Sequence, residues 1–166
     1  RYLMSWQLRR ATIDDLDGIM AIESREFAND AWSSDMMRAE LGDNHGYYLV
    51  ATPLVEPAVV TAYAGLRAPH RSGQADIQTI AVAVDARRQG IGRALMHALM
   101  VEARDRGASE LFLEVRDDNP SAQRMYDSLG FERIAVRPNY YQPDGVDAIV
   151  MKLTIPEPKL SPAVGR

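Results

Sequence analysis

The chain has 166 residues, a length that fits one domain with one core. Hydrophobic residues make up 46% and charged residues 25%, the balance of an ordinary globular protein that buries its core without staples. The net charge of −4 argues against a general nucleic-acid-binding surface, and the absence of cysteine excludes disulfides, a thiol nucleophile and Cys-type zinc sites.

No run of about 18 apolar residues is present, so no membrane association is expected. The first residues lack a charged-then-apolar signal pattern, and the expected location is the cytoplasm. Met4 is read as the natural start, with residues 1–3 foreign to it. Residues 4–154 are expected to form one domain, and the proline-bearing stretch 155–166 a flexible tail. Nothing in the sequence demands more than a monomer or a weak oligomer.

Thr12 has the character of a helix N-cap with Asp15 as its box partner, and Leu16, Ile19, Met20, Glu23 and Phe27 follow at helical spacing. A second helix is expected from Ser33 or Ser34 to Leu41, stopped by Gly42. Strands are expected at Tyr47–Ala51, Val59–Leu66 and, after Gly73, Ala75–Val84, with a loop marked by Pro53 and Pro57. A helix over Gln89–Arg106 presents Ile91, Ala94, Leu95, Ala98, Leu99 and Ala103 on one face and ends at Gly107. Leu111–Val115 reads as a buried strand. Asn119 then caps a helix with Pro120 at its first position, carrying Ala122, Met125, Tyr126 and Leu129 up to Gly130. Strands Phe131–Val136 and Asp147–Leu153 follow, joined by an excursion holding Tyr140, Tyr141, Pro143 and Gly145. The alternation points to an α/β (α+β) domain.

Arg87-Arg88-Gln89-Gly90-Ile91-Gly92 lies between a strand and a helix. Glycines at a helix entrance let backbone N–H groups approach a ligand closely, and the helix end adds partial positive charge. Arg87, Arg88 and Arg93 add full charges at the rim. Read alone, the segment is either a glycine turn with solvated arginines or a phosphate cradle. A dinucleotide fingerprint would need glycine where Leu95 stands, and the lysine-bearing phosphate loop is absent.

Glu114 places a carboxylate in the apolar strand Leu111–Arg116. A buried lone charge is costly, so it needs a partner, water or a chemical task; a salt bridge with Arg116 is the plain alternative. By alternation Leu111 and Leu113 face one side, and Phe112 and Glu114 the other. Spacing alone makes Tyr126 a core aromatic. His45, His70 and His97 have no metal-ligand spacing, and no metal is expected.

The run from Gln78 to Leu95, with the core Arg87-x-x-Gly90-x-Gly92, resembles the pyrophosphate motif of GNAT-superfamily acetyltransferases. Glu114-Val115-Arg116-x-x-Asn119-x-x-Ala122-x-x-x-Tyr126-x-x-x-Gly130-Phe131 is similar to the RimI-type branch, the ribosomal-protein N-terminal alanine acetyltransferases. So are Asn139-Tyr140-Tyr141, Asp147–Met151 and Ala31-Trp32-Ser33, although Pro often stands in that branch where this chain has Ala31. The resemblance spans about Leu8 to Leu153. It implies a mixed, mostly antiparallel sheet of six or seven strands, helices on both faces and a splayed strand pair forming an acetyl-CoA cleft. It further implies that Ile80, Ala81 and Val82 meet the pantetheine arm and that Arg87, Arg88, Gln89, Gly90, Ile91, Gly92 and Arg93 hold the pyrophosphate. Asn119 would contact the cofactor, Glu114 would be general base and Tyr126 general acid. The tyrosine pair Tyr140 and Tyr141 would wall a peptide groove.

The chemistry asks for such groups. An N-terminal amine, with pKa about 8, is roughly one-tenth neutral at pH 7, whereas lysine is neutral only at about the 10⁻³ level or below. A carboxylate can take the proton as the amine attacks the thioester, and a tyrosine can protonate the leaving thiolate. An N–H near Val82 would meet the thioester oxygen.

The resulting expectation is acetyl transfer from acetyl-CoA to a protein N-terminus, with the N-terminal alanine of a small-subunit ribosomal protein as the acceptor the resemblance implies. Lysine side chains or a small-molecule amine are the alternative acceptors, and a non-catalytic acyl-CoA-binding module the alternative of another class. Trp32, Tyr140 and Tyr141 either cover the core edge or wall the groove. Asp30, Asp35, Glu40, Asp43 and Asp144 are read mainly as solvated surface that would favour a basic peptide.

Overall fold

The computed structural model describes residues 5–156. The expectations for residues 1–3 and Met4, and for the tail beyond Pro156, fall outside the described residues. Within them, Ile155 is not tail-like: it is buried, and its N–H donates to Ser109 O at 2.8 Å.

Among the described residues seven strands form one open sheet: β1 (Trp6–Arg10), β2 (Gly46–Pro53), β3 (Ala62–Arg67), β4 (Gln74–Val82), β5 (Glu110–Arg116), β6 (Glu132–Tyr141) and β7 (Val146–Thr154). Their order is β1-β2-β3-β4-β5-β7-β6, and only β4 and β5 run parallel. Helices α1 (Leu16–Phe27) and α2 (Ser34–Leu41) cover one face, packing Leu16, Ile19, Ile22 and Met37 on Tyr48, Val50, Tyr63 and Ala81. Helix α3 (Ile91–Asp105) and helix α4 (Pro120–Ser128) cover the other, where Ile91, Leu95, Met96, Leu99 and Tyr126 meet Ala62, Ala64, Leu66, Leu111, Leu113 and Val115. No helix among the described residues is long and apolar enough to cross a membrane.

The element ends follow local chemistry. Thr12 and Asp15 form the expected capping box, around a 3-10 turn at Ile13–Asp15, so α1 proper starts at Leu16. Asp15 also binds Arg9 of β1 through both oxygens at 2.8 Å, tying the first helix to the sheet edge. Ser33 caps α2 by accepting from Met36 N–H, and Asn119 caps α4 by accepting from Ala122 N–H. Helix α3 starts at Ile91 rather than Gln89, because Gly90, at φ 78°, sits in the left-handed region and cannot be a helical turn residue. Strand β4 stops at Val82, short of Val84, where a 3-10 turn Val84–Ala86 begins. Strand β3 starts at Ala62 rather than Val59, whose N–H closes a turn onto Glu56 O at 3.0 Å. Strand β6 runs on to Tyr141, so Tyr140 and Tyr141 are strand residues and Tyr141 pairs with Val146. Strand β1 is an added element that periodicity does not announce, a short edge strand rich in polar residues.

Two local features shape the centre of the sheet. Gly65 of β3 lies under the buried ring of Tyr48, where a Cβ would come within 2.1 Å of the ring. Opposite it the register jumps from Gly65↔Thr79 to Leu66↔Ile77, leaving Gln78 as an extra residue in β4. Such a bulge bends its strand. Pairing of β4 with β5 is confined to Gln74–Asp76 against Glu110–Phe112. Beyond it the two strands splay, as expected.

Candidate active site

The splay is filled by three adjoining cavities. The first, about 630 Å³, lies between the end of β4, the start of α3 and one side of α4. Ile80, Ala81 and Val82 line it from the strand, with Asn119 and Tyr126 from the α4 side. Arg87, Arg88, Gly90, Ile91, Gly92 and Arg93 line it from the turn and helix entrance. Gln89 is the one residue of the expected set absent from its wall. Unlike α2 and α4, α3 begins without a side-chain cap, so its first N–H groups have no partner within the helix and open toward this space. Arg87 donates from Nε to Val82 O at 3.2 Å and forms an ion pair with Glu26. Arg93 donates to Ser128 Oγ at 2.8 Å. Freed strand groups, uncapped helix N–H groups and three arginines make a cleft suited to an extended amide-bearing chain that ends in phosphates.

The second cavity, about 200 Å³, shares Phe27, Ile80, Asn119, Ala122 and Tyr126 with the first. Glu114 and Tyr126 both line it, as do Glu23 and Thr79. Glu114 faces away from the buried Leu113 and Val115, as alternation predicts, and its side chain is 32% exposed. Its partner is not Arg116 but Arg137 of β6, whose Nε lies 3.1 Å from Oε2. Tyr126 is buried, with its ring edge-on to Phe131 at 5.9 Å. Burial, and then the neighbouring Tyr141, push its phenol above the usual tyrosine range. Burial also raises Tyr141, which it and then the nearby Glu114 charge push up to about 12.

The third cavity, about 440 Å³, shares Trp32, Gln78, Leu113, Glu114 and Tyr141 with the second and adds Asp76, Arg137 and Tyr140. Trp32, Tyr140 and Tyr141 therefore stand together on one groove. The Tyr140 and Tyr141 rings meet edge-on at 5.1 Å. Burial raises the Asp76 carboxyl, against the pull of Arg67.

Several acids read as solvated surface are engaged instead. Arg116 forms ion pairs with Asp30, with Asp118 at 2.9 Å and with Asp144 at 3.2 Å, and stands 5.1 Å from the Tyr141 ring centroid. Asp43 pairs with Arg67, and Glu40 accepts from Tyr48. The sequence reading also passed over Glu23, Thr79, Arg116 and Arg137 as cleft residues. Glu23 alone left a signal, a carboxylate on the apolar face of an amphipathic helix.

Comparisons with known proteins agree with this geometry. The model of the acetyltransferase (GNAT) family matches residues 16–131. A relative named N-alpha-acetyltransferase RimI, from Mycobacterium tuberculosis, is 32% identical over 126 residues, covering 75% of this chain and 76% of its own. An uncharacterized protein of Mycobacterium leprae is 36% identical over 141 residues, 83% of this chain but 38% of that longer protein. Among solved structures, the ribosomal-protein-S18-alanine N-acetyltransferase of Escherichia coli superposes with a TM-score of 0.80 at 32% identity, over 95% of this chain and 99% of that one.

Proposed function

This chain belongs to the acetyltransferase (GNAT) family, and we propose that it transfers acetyl from acetyl-CoA to the N-terminal α-amine of a protein, in the first place an N-terminal alanine of ribosomal protein bS18. The observation that carries the reading is that Glu114 and Tyr126 line one cavity, which shares a wall with the phosphate-suited cleft on one side and with an aromatic groove on the other. The names of the two enzymes similar to it, from M. tuberculosis and E. coli, support the choice of acceptor.

Acetyl-CoA fits the residues present. The N–H groups at Ile91, Gly92 and Arg93, with the Arg87, Arg88 and Arg93 guanidiniums, would hold its pyrophosphate. The main-chain groups of Ile80–Val82 that β3 does not use, released by the splay from β5, would pair with its amides. Bound there, it supplies an activated thioester carbonyl.

The chain's own groups then serve a direct transfer. Trp32, Tyr140 and Tyr141 hold the acceptor peptide with its amine toward the second cavity. Glu114 takes a proton from that amine, directly or through water, as the C–N bond forms. A β4 N–H near Val82 stabilises the charge that develops on the carbonyl oxygen. Tyr126 gives its proton to the sulfur as the C–S bond breaks, and solvent restores the phenol. Burial raises that phenol, so it is protonated at neutral pH and has a proton to give. No covalent enzyme intermediate is required, in keeping with a chain that has no cysteine.

The test is an acetylation assay on peptides that begin with alanine, on the same peptides with blocked N-termini and internal lysines, and on small amines, read by mass spectrometry. Modification of free N-termini is expected. Acetylation confined to lysine would overturn the acceptor assignment. Acetyl-CoA binding with no transfer to any amine would make the chain a binding module.

A further inference from the structure

Glu23 is a charged residue in the wrong place for a surface helix. It lies on the sheet-facing side of α1, only 2% exposed, among Ile19, Ile22, Val50 and Tyr63. Its two carboxylate oxygens have different partners. Oε1 accepts from the Tyr63 hydroxyl, on the central strand β3. Oε2 accepts from the backbone N–H of Trp32 at 2.9 Å. Both donors are neutral. Burial accordingly raises the Glu23 carboxyl above the usual range, while the two hydrogen bonds pull it down.

An aliphatic side chain would fill this position without that desolvation cost. What an aliphatic side chain cannot do is accept two hydrogen bonds. Trp32 lies between the 3-10 turn Ala28–Asp30 and the Ser33 cap of α2, in an extended link with no strand alongside. Its N–H has no ladder to join, and Glu23 takes the place of one. Tyr63, wholly buried and paired with Ala81 of β4, makes the anchor rigid. The link so held carries Trp32, which lines both the second and third cavities opposite Glu114, and Asp30, which Arg116 grips from the outside.

We propose that Glu23 is a positioning residue of the acceptor site: through Trp32 N–H and Tyr63 it fixes the α1–α2 link as the wall of the groove, and so sets affinity for the amine-bearing peptide rather than for the acyl donor. The inference rests on the acetyl-transfer reading for its kinetic consequence, but its structural half stands apart from it. The phosphate-suited groups of the first cavity stand on the Arg87–Arg88 turn and at the start of α3, and none of them is a hydrogen-bond partner of Glu23.

Two measurements test this. In steady-state kinetics, Glu23→Leu should raise the acceptor KM by about 10-fold or more, the scale of a lost hydrogen bond to a charged group, and leave the donor KM within about twofold. Glu23→Gln, whose amide oxygen can still accept from Trp32, should recover most of that loss. Independently of activity, a Trp6→Phe background leaves Trp32 as the sole tryptophan, and adding Glu23→Leu there should increase its quenching by acrylamide. Tyr63→Phe, which removes one donor and keeps the core filled, should increase quenching by less and serves if Glu23→Leu does not fold. Unchanged quenching in a folded variant, or donor and acceptor KM rising together, would overturn the proposal. A wild-type chain that acetylates no peptide would sink the functional reading instead, with the quenching result still deciding what Glu23 does.

Discussion

Arg137 Nε lies 3.1 Å from Glu114 Oε2, so the carboxylate on β5 is met by a cation that reaches it from β6, across the intervening β7. The contact engages Oε2, on a side chain that lines both the second and the third cavity. Arg137 is more than half exposed, which limits the pair to about 1 kcal/mol or less.

Glu114→Gln should therefore lower kcat/KM for a peptide acceptor by at least about 100-fold, the usual scale for a lost general base. Arg137→Gln should lower it by less than about fivefold. Thiol release measured alongside far-UV circular dichroism checks both. A Glu114→Gln enzyme of near-normal rate would remove Glu114 as the base.

Tyr126→Phe keeps the ring against Phe131 and deletes only the hydroxyl. The expected result is a kcat lower by about 100-fold with donor affinity unchanged. Because burial holds the phenol above the ordinary value near 10, the wild-type pH–rate profile should show no descending limb from Tyr126 below about pH 10. A full-rate Tyr126→Phe enzyme would assign thiolate protonation to solvent.

Gly90 separates backbone conformation from sterics at the donor cleft. A Cβ added there meets nothing within 4 Å, yet φ is 78°. Gly90→Ala should therefore carry a purely conformational penalty of about 1–2 kcal/mol and weaken acetyl-CoA binding about 10-fold. Gly90→Asn should be milder, since asparagine tolerates the left-handed region. Isothermal titration with acetyl-CoA reads the difference, and equal affinities across the three proteins would detach this turn from donor binding.

Asp15 governs acid stability at the other end of the domain. Its carboxyl is held below the usual range by hydrogen bonds from Arg9 first, opposed by burial, with the Thr12 N–H also lowering it. A carboxyl depressed in the folded state contributes stability that is fully present above its unfolded pKa, about 3.9, and is lost as pH falls through the folded value. The melting temperature should thus fall as pH drops below about 4. Asp15→Asn should melt about 5 °C or more lower at neutral pH, with a flatter acid limb. A variant with the wild-type pH dependence would place the acid sensitivity elsewhere.

Most of the first cavity is legible in the sequence because a strand, a glycine turn and a helix start, contiguous between Ile80 and Arg93, supply much of its wall. The outward face of Glu114 is legible for the same reason, since alternation is a local rule. Its partner is not, because Arg137 reaches it only through the β5-β7-β6 order, which depends on long-range register. The bulge at Gln78 is equally hidden, as it arises where two registers disagree rather than from residue type. Helix α3 begins two residues after the predicted start because Gln89 is a good helix former, and only the left-handed turn at Gly90 overrules it. Glu23 fits the helical period of α1, yet its burial becomes intelligible only when Tyr63 arrives from β3.

The splay of β4 from β5 has one more consequence. The groups it releases on Ile77–Val82 belong to the main chain, and main-chain donors and acceptors are common to every residue type except proline, which lacks the N–H. Recognition built on them survives almost any side-chain substitution along that strand. The edge that lines the first cavity can thus stay constant while the side chains of the groove beyond it vary.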